Sequence, residues 1–125
     1  MPAENTASQI AKKITQTIVF VYGTRPEFIK MLPLILEAKK MKNLKTIVCS
    51  TGQHKDMLES LYLFFDFRPD LDFMLMKPNQ SLNALHSETM NAMDAVIEQF
   101  KPDWVVVQGD TTSAMVGALA AFYHR

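Results

Sequence analysis

The stretch Thr17-Ile18-Val19-Phe20-Val21-Tyr22-Gly23-Thr24-Arg25-Pro26-Glu27-Phe28-Ile29-Lys30 leaves few folds open to this chain. Its β-branched and aromatic opening reads as a buried strand, and the run breaks at Gly23. Pro26 then stands where a helix takes its first residue, because the fixed φ of proline suits that place. Strand, tight turn and helix in immediate succession open many nucleotide-binding α/β domains. A helix N-terminus offers unpaired N–H groups and a partial positive charge, so an anion can settle at this turn. Arg25 and Lys30 add full charges there, and a guanidinium can hold phosphate oxygens bidentately. The same residues also fit an arginine paired with a neighbouring carboxylate and a solvated helix lysine. Neither G-x-G-x-x-G nor G-x-x-x-x-G-K-[ST] occurs, so the dinucleotide and P-loop fingerprints are absent.

The rest of the chain repeats this alternation. Phe28, Met31, Leu32, Ile35 and Ala38 form a helical stripe from Pro26 to about Lys42, with Glu27, Lys30, Glu37, Lys39 and Lys40 on other faces. Pro33 lies inside it and predicts a kink or a separate first turn. Thr46 to Ser50 reads as a second strand. A helix is expected from about His54 to Phe65, with Met57, Leu58, Leu61, Tyr62 and Phe65 on one side. Leu71 to Leu75 alternates like a short edge strand. After the break at Pro78-Asn79-Gln80, Ser81 is a fitting N-cap for the longest helix, which runs to Phe100 and is stopped by Pro102. Trp104-Val105-Val106-Val107 is continuously apolar, the mark of a central strand covered on both faces. Thr112 to Arg125 closes the chain as a helix. Strands and helices in this order predict an α/β fold with a parallel sheet and helices on both sides.

Composition sets bounds on function. At 125 residues the chain is a single domain with a modest core, 48% hydrophobic and 21% charged. A formal net charge of zero gives no reason to expect nucleic acid or an acidic membrane as partner. One cysteine, Cys49, permits no internal disulfide and fits a cytoplasmic location. No apolar run is long enough to span a bilayer. Residues 1–16 read as a polar leader, disordered and without a secretory h-region. The nine methionines fall on helix stripes and loops, as core gap-fillers do.

In open parallel sheets ligands bind beyond the carboxyl ends of the strands. Gly23 to Pro26, Thr51 to His54 and Gly109 to Thr112 all leave strands in that direction and are expected to converge. Asp110, followed by Thr111, Thr112 and Ser113, reads either as a helix cap or as a general acid or base held in a cleft. A lone histidine such as His54 is by default a loop or capping residue. His86, His124 and Cys49 match no metal-ligand spacing, so no metal site is expected.

The string YGTRPEFIKMLPLI resembles the opening of the non-hydrolysing UDP-N-acetylglucosamine 2-epimerases, which carry a GTRPE-x-IKM-x-P signature. Thr51-Gly52-Gln53-His54 and Gly109-Asp110-Thr111-Thr112 agree with that family in order and spacing, so the resemblance runs from about Ile18 to Arg125. It implies that residues 17–125 are a partial Rossmann-like three-layer domain, part of the N-terminal half of a two-domain GT-B fold. It further implies a cytoplasmic isomerase of cell-envelope polysaccharide biosynthesis that needs no cofactor. Such an enzyme interconverts UDP-N-acetylglucosamine and UDP-N-acetylmannosamine by eliminating UDP and adding it back. By the same resemblance Asp110 is an active-site residue, and Arg25, Lys30, Thr111 and Thr112 contact substrate. Gln53 and His54 match a second, activating site of some bacterial members. Asp56 and Asn79 depart from that activating pattern, where glutamine and arginine are usual, and Gln108 stands where histidine commonly precedes G-D-T-T. Family members continue into an H-V-E-A-G-L-R stretch and a second domain, so this chain is expected to be inactive alone. Two other readings are a non-catalytic UDP-sugar-binding or regulatory fragment and the half-domain of a GT-B glycosyltransferase. An unguarded edge on the Trp104 strand predicts a homodimer or higher oligomer.

Overall fold

A computed structural model describes residues 15–125. Four strands and four helices alternate along them. These are β1 (Gln16–Tyr22), α1 (Arg25–Lys39), β2 (Leu44–Ser50), α2 (Lys55–Phe65), β3 (Leu71–Asp72), α3 (Leu82–Phe100), β4 (Trp104–Val106) and α4 (Thr112–His124). The strands form one sheet in the order β3-β2-β1-β4, and every pairing is parallel. Most of the expected leader lies outside the described residues, while Gln16 already belongs to β1 and pairs with Leu44.

Side chains alternate across a strand, and β1 uses this to separate two cores. Phe20 and Tyr22 pack with Phe28, Met31, Leu32 and Ile35 of α1 and Leu58 and Tyr62 of α2. Val19 and Val21 face the other way, against Met93, Val96 and Ile97 of α3 and Ala120 of α4. The result is a Rossmann-like α/β sandwich of three layers, with the parallel sheet covered by helices on both sides.

The helical stripe expected for α1 is buried residue for residue. Two details differ. Pro26 is the second helical residue, behind Arg25, and Glu27 is buried rather than on a polar face. The helix continues through Pro33 without a separate first turn. In α2 only Leu58 and Tyr62 of the expected stripe are buried, while Met57 and Phe65 are exposed. Phe67, just past the helix, fills the core position that Phe65 leaves. Ser81 caps α3 as expected, accepting from the Ala84 N–H at 3.0 Å.

Both apolar runs at the sheet's margins form shorter regular strands than their sequence predicts. β3 is regular only over Leu71–Asp72: the Asp72 carboxylate accepts the Met74 N–H at 3.0 Å and Met74 takes a positive φ, yet the Phe73 and Leu75 N–H groups still donate to the Ser50 and Thr51 carbonyls at 2.9 and 3.0 Å. β4 is not central. It pairs only with β1 among the described residues, and Trp104 is 60% exposed. Val105 and Val106 contact opposite cores but are half-buried, because no strand covers their outer side.

Candidate functional site

β1, β2 and β4 run parallel, so their exits lie at one end of the sheet, and the three loops there are in direct contact. The Thr51 N–H donates to the Tyr22 carbonyl at 2.9 Å, and the His54 N–H donates to the Gly23 carbonyl at 3.0 Å. The Thr51 and Ser113 hydroxyls are 3.0 Å apart, and the Ser113 hydroxyl lies 3.5 Å from Gln53 Oε1. Gly23 sits at the centre. A Cβ built there would lie 2.2 Å from Ser113 Oγ, 2.5 Å from Thr51 Oγ1 and 2.9 Å from Gln53 Oε1. Glycine is needed here for close approach, not for a left-handed backbone. Gly109 is the opposite case: its Cβ would meet nothing within 4 Å, but its φ of +84° is one that L side chains rarely adopt.

Glu27 binds the first loop to the third. Its Oε2 accepts from the Gly23 N–H at 3.1 Å, the Thr24 N–H at 2.7 Å and the Thr24 hydroxyl at 2.7 Å. Its Oε1 accepts from the Thr111 hydroxyl at 2.5 Å. The glutamate three residues beyond an N-cap threonine is the reciprocal partner of a capping box. The T-x-x-E spacing of Thr24 and Glu27 therefore carried a signal for this residue that the polar-face assignment overlooked. The Arg25 N–H donates to His54 Nδ1 at 3.3 Å, so the α1 N-terminus is occupied from two sides. The free backbone cradle expected there for an anion is taken by groups of the chain itself. Charge at this turn comes from side chains instead.

Arg25, Lys30 and His54 line one open groove of about 470 Å³ together with Pro26, Ile29 and Met57. Both cations are exposed. The alternative of a carboxylate partner for Arg25 is not met among the described residues, since neither the ion pairs nor the side-chain hydrogen bonds engage its guanidinium. Gln53 and His54 also line an adjoining depression with Lys55, Asp56, Met57 and Met76. His54 stands at the N-cap position of α2 but its side chain makes no cap hydrogen bond there; the ring instead accepts the Arg25 N–H.

Thr111 is the N-cap of α4 and accepts from the Ala114 N–H at 3.3 Å while donating to Glu27. Capping therefore falls to Thr111 and not to Asp110. Asp110 is exposed on the third loop, and no hydrogen bond or ion pair among the described residues engages its carboxylate. Thr112 begins the helix and is half-buried. Neither lines the Arg25 groove.

Beneath the loops the Tyr22 and Tyr62 hydroxyls meet at 2.7 Å. Burial, followed by this hydrogen bond, pushes the Tyr22 hydroxyl far above its ordinary range, and burial likewise raises Tyr62. Both stay protonated and serve as floor. Among the described residues no three His, Cys, Asp or Glu side chains form a group that could hold a metal ion. No helix there is long and apolar enough to cross a membrane.

A family model described as UDP-N-acetylglucosamine 2-epimerase matches residues 36–125. The UDP-N-acetylglucosamine 2-epimerase of Neisseria meningitidis is 44% identical over 108 residues, which are 86% of this chain and 29% of that protein. The Bacillus subtilis protein of the same name is 44% identical over 86% of this chain and 28% of its own length. The crystal structure of UDP-GlcNAc 2-epimerase from Neisseria meningitidis bound to UDP-GlcNAc superposes with a TM-score of 0.81 at 44% identity, over 86% of this chain and 29% of that one. That of Methanocaldococcus jannaschii in complex with UDP-GlcNAc and UDP superposes with a TM-score of 0.73 at 29% identity, over 86% and 30%. The chain spans a little under a third of the relatives it matches.

Proposed function

Because the chain belongs to the UDP-N-acetylglucosamine 2-epimerase family, we propose that its three converging loops are one wall of a UDP-sugar site. The activity it would serve, in a protein of the relatives' length, is the interconversion of UDP-N-acetylglucosamine and UDP-N-acetylmannosamine. The observation that carries this reading is the groove that gathers Arg25, Lys30 and His54, at a helix start that Glu27 ties to Thr111, the neighbour of Asp110. Negative charge builds on UDP as it leaves the sugar, and fixed cations beside the diphosphate stabilise it more than they stabilise the bound substrate. Arg25, whose backbone is pinned by His54 and whose guanidinium has no carboxylate partner, suits that task, with Lys30 one helical turn further on. Asp110 would hold or move a proton at the sugar, or orient it, and Thr112 would add a hydroxyl contact. Gln53 and His54 would touch the ligand from the second loop.

Relatives solved with UDP-GlcNAc or UDP bound support the ligand class. The buried Cys49 thiol, without a disulfide partner, accords with a cytoplasmic location. Calorimetry with UDP-N-acetylglucosamine tests the reading. The expected result is saturable binding near about 1 mM, because only part of the ligand's contacts lie on this chain. Arg25→Ala is expected to abolish it. No heat above dilution, or the same affinity without Arg25, would count against the site.

A further inference from the structure

We propose that Glu27 is a positioning residue that sets the spacing between the Arg25 loop and the Asp110 loop; the proposal rests on, and deepens, the UDP-sugar reading. A glutamate that only capped α1 would need the Thr24 N–H and nothing else. This one is 2% exposed and spends its second oxygen on Thr111, 84 residues away in sequence and next to Asp110. Thr111 in turn holds the Ala114 N–H, so the carboxylate is tied through one hydroxyl to the start of α4.

The four donors come from only three residues, Gly23, Thr24 and Thr111. Thr24 directly precedes Arg25, with Gly23 before it, and Thr111 directly follows Asp110. The proposed charge-stabilising residue and the proposed proton-handling residue are thus each one peptide bond from an anchor on the same carboxylate. Hydrogen bonds to a charged acceptor are shorter and more directional than neutral ones, which suits them to fixing a distance. Apolar packing cannot supply this register, because the contacts between the loops at Gly23 are hydroxyl and amide oxygens. Glu27 is not a catalytic residue. It is buried below the groove and absent from its lining, so it acts through its neighbours.

The test uses this chain, labelled with nitrogen-15, in five forms: wild type, Glu27→Gln, Thr111→Val, the double variant and Thr111→Ser. Amide exchange and shifts are followed in both loops, and UDP is titrated as the probe. Glu27→Gln is expected to loosen Thr111 to Ala114, and Thr111→Val to loosen Gly23 and Thr24, each acting across the sheet. Each single change is expected to weaken UDP about tenfold, the double variant no more than either, and Thr111→Ser to restore binding. Effects confined to the substituted loop, or additive losses in the double variant, would overturn the proposal. Should Glu27→Gln fail to fold, Thr111→Val, which keeps the shape of the side chain, decides alone. If wild type does not bind UDP, the UDP-sugar reading fails, and the cross-loop exchange still decides whether Glu27 couples the loops.

Discussion

Gly23 and Gly109 both precede a helix by a few residues, yet substitution at each should fail for a different reason. Gly23→Ala drives a methyl group into the Ser113, Thr51 and Gln53 oxygens and is expected to cost about 1–3 kcal/mol by overpacking. Gly109→Ala meets open space and should cost about 1–2 kcal/mol from its left-handed backbone alone. Urea melts give both numbers, and UDP binding separates them, because only Gly23→Ala spreads the three loops. Equal binding in the two variants would contradict the close-contact account. Cys49 supplies a second residue-scale test. Burial, with Asp70's charge as a lesser cause, pushes its thiol from 9.0 up to about 12. The native state then keeps a proton that the unfolded chain releases, so this contribution to stability is complete below pH 9.0 and is lost as pH rises toward about 12. Tyr22, raised by burial, pulls in the same direction above its ordinary 10.0. Urea midpoints should therefore fall on the alkaline side of pH 9, and a flat profile there would show that these groups are not desolvated. Arg25 and Lys30 were legible in the sequence as charges at a turn. Glu27 was harder to read, because polarity on a helical wheel says nothing about donors arriving from a loop 84 residues away.

Elements were more legible than their neighbours in space. The periodicity of α1 and the parallel alternation could be read directly, since each reflects a local face meeting the sheet. Position within the sheet is not carried by the local pattern. A continuous apolar run such as Trp104 to Val107 looks the same whether one edge or both are paired, and β4 lies at the margin. β3 is regular over only two residues because Met74 interrupts it with a positive φ, which alternation from Leu71 to Leu75 cannot reveal, although the Phe73 and Leu75 N–H groups still bond to the end of β2. Pro33 is the one local conflict that the fold simply absorbs. It lies on the exposed side of α1 and denies the Ile29 carbonyl its partner. Pro33→Ala is accordingly expected to raise stability by about 1–3 kcal/mol, read as a higher melting temperature. A loss instead would mean that the packing of Met31, Leu32 and Ile35 depends on a bend at this residue.

At the scale of the whole molecule, β4 leaves its outer edge unpaired among the described residues, beside an exposed Trp104. Another strand can add to such an edge, and a second copy of this chain is the proposed occupant, paired about a two-fold axis. Sedimentation at several concentrations should show a dimer for the chain and a monomer for Trp104→Lys, with the melting temperature of the monomer unit little changed. A wild-type monomer throughout the range would remove the dimer. The three loops beyond β1, β2 and β4 are proposed to form one ligand-facing wall. Mapping the amide shifts of this chain during a UDP titration tests it most directly. Changes are expected in Gly23 to Arg25, Gln53 and His54, and Gly109 to Ser113, moving together along one binding curve and vanishing in Arg25→Ala. Shifts gathered instead at the other end of the sheet, around Lys101, Asp103 and His124, or unchanged by the loss of Arg25, would contradict it.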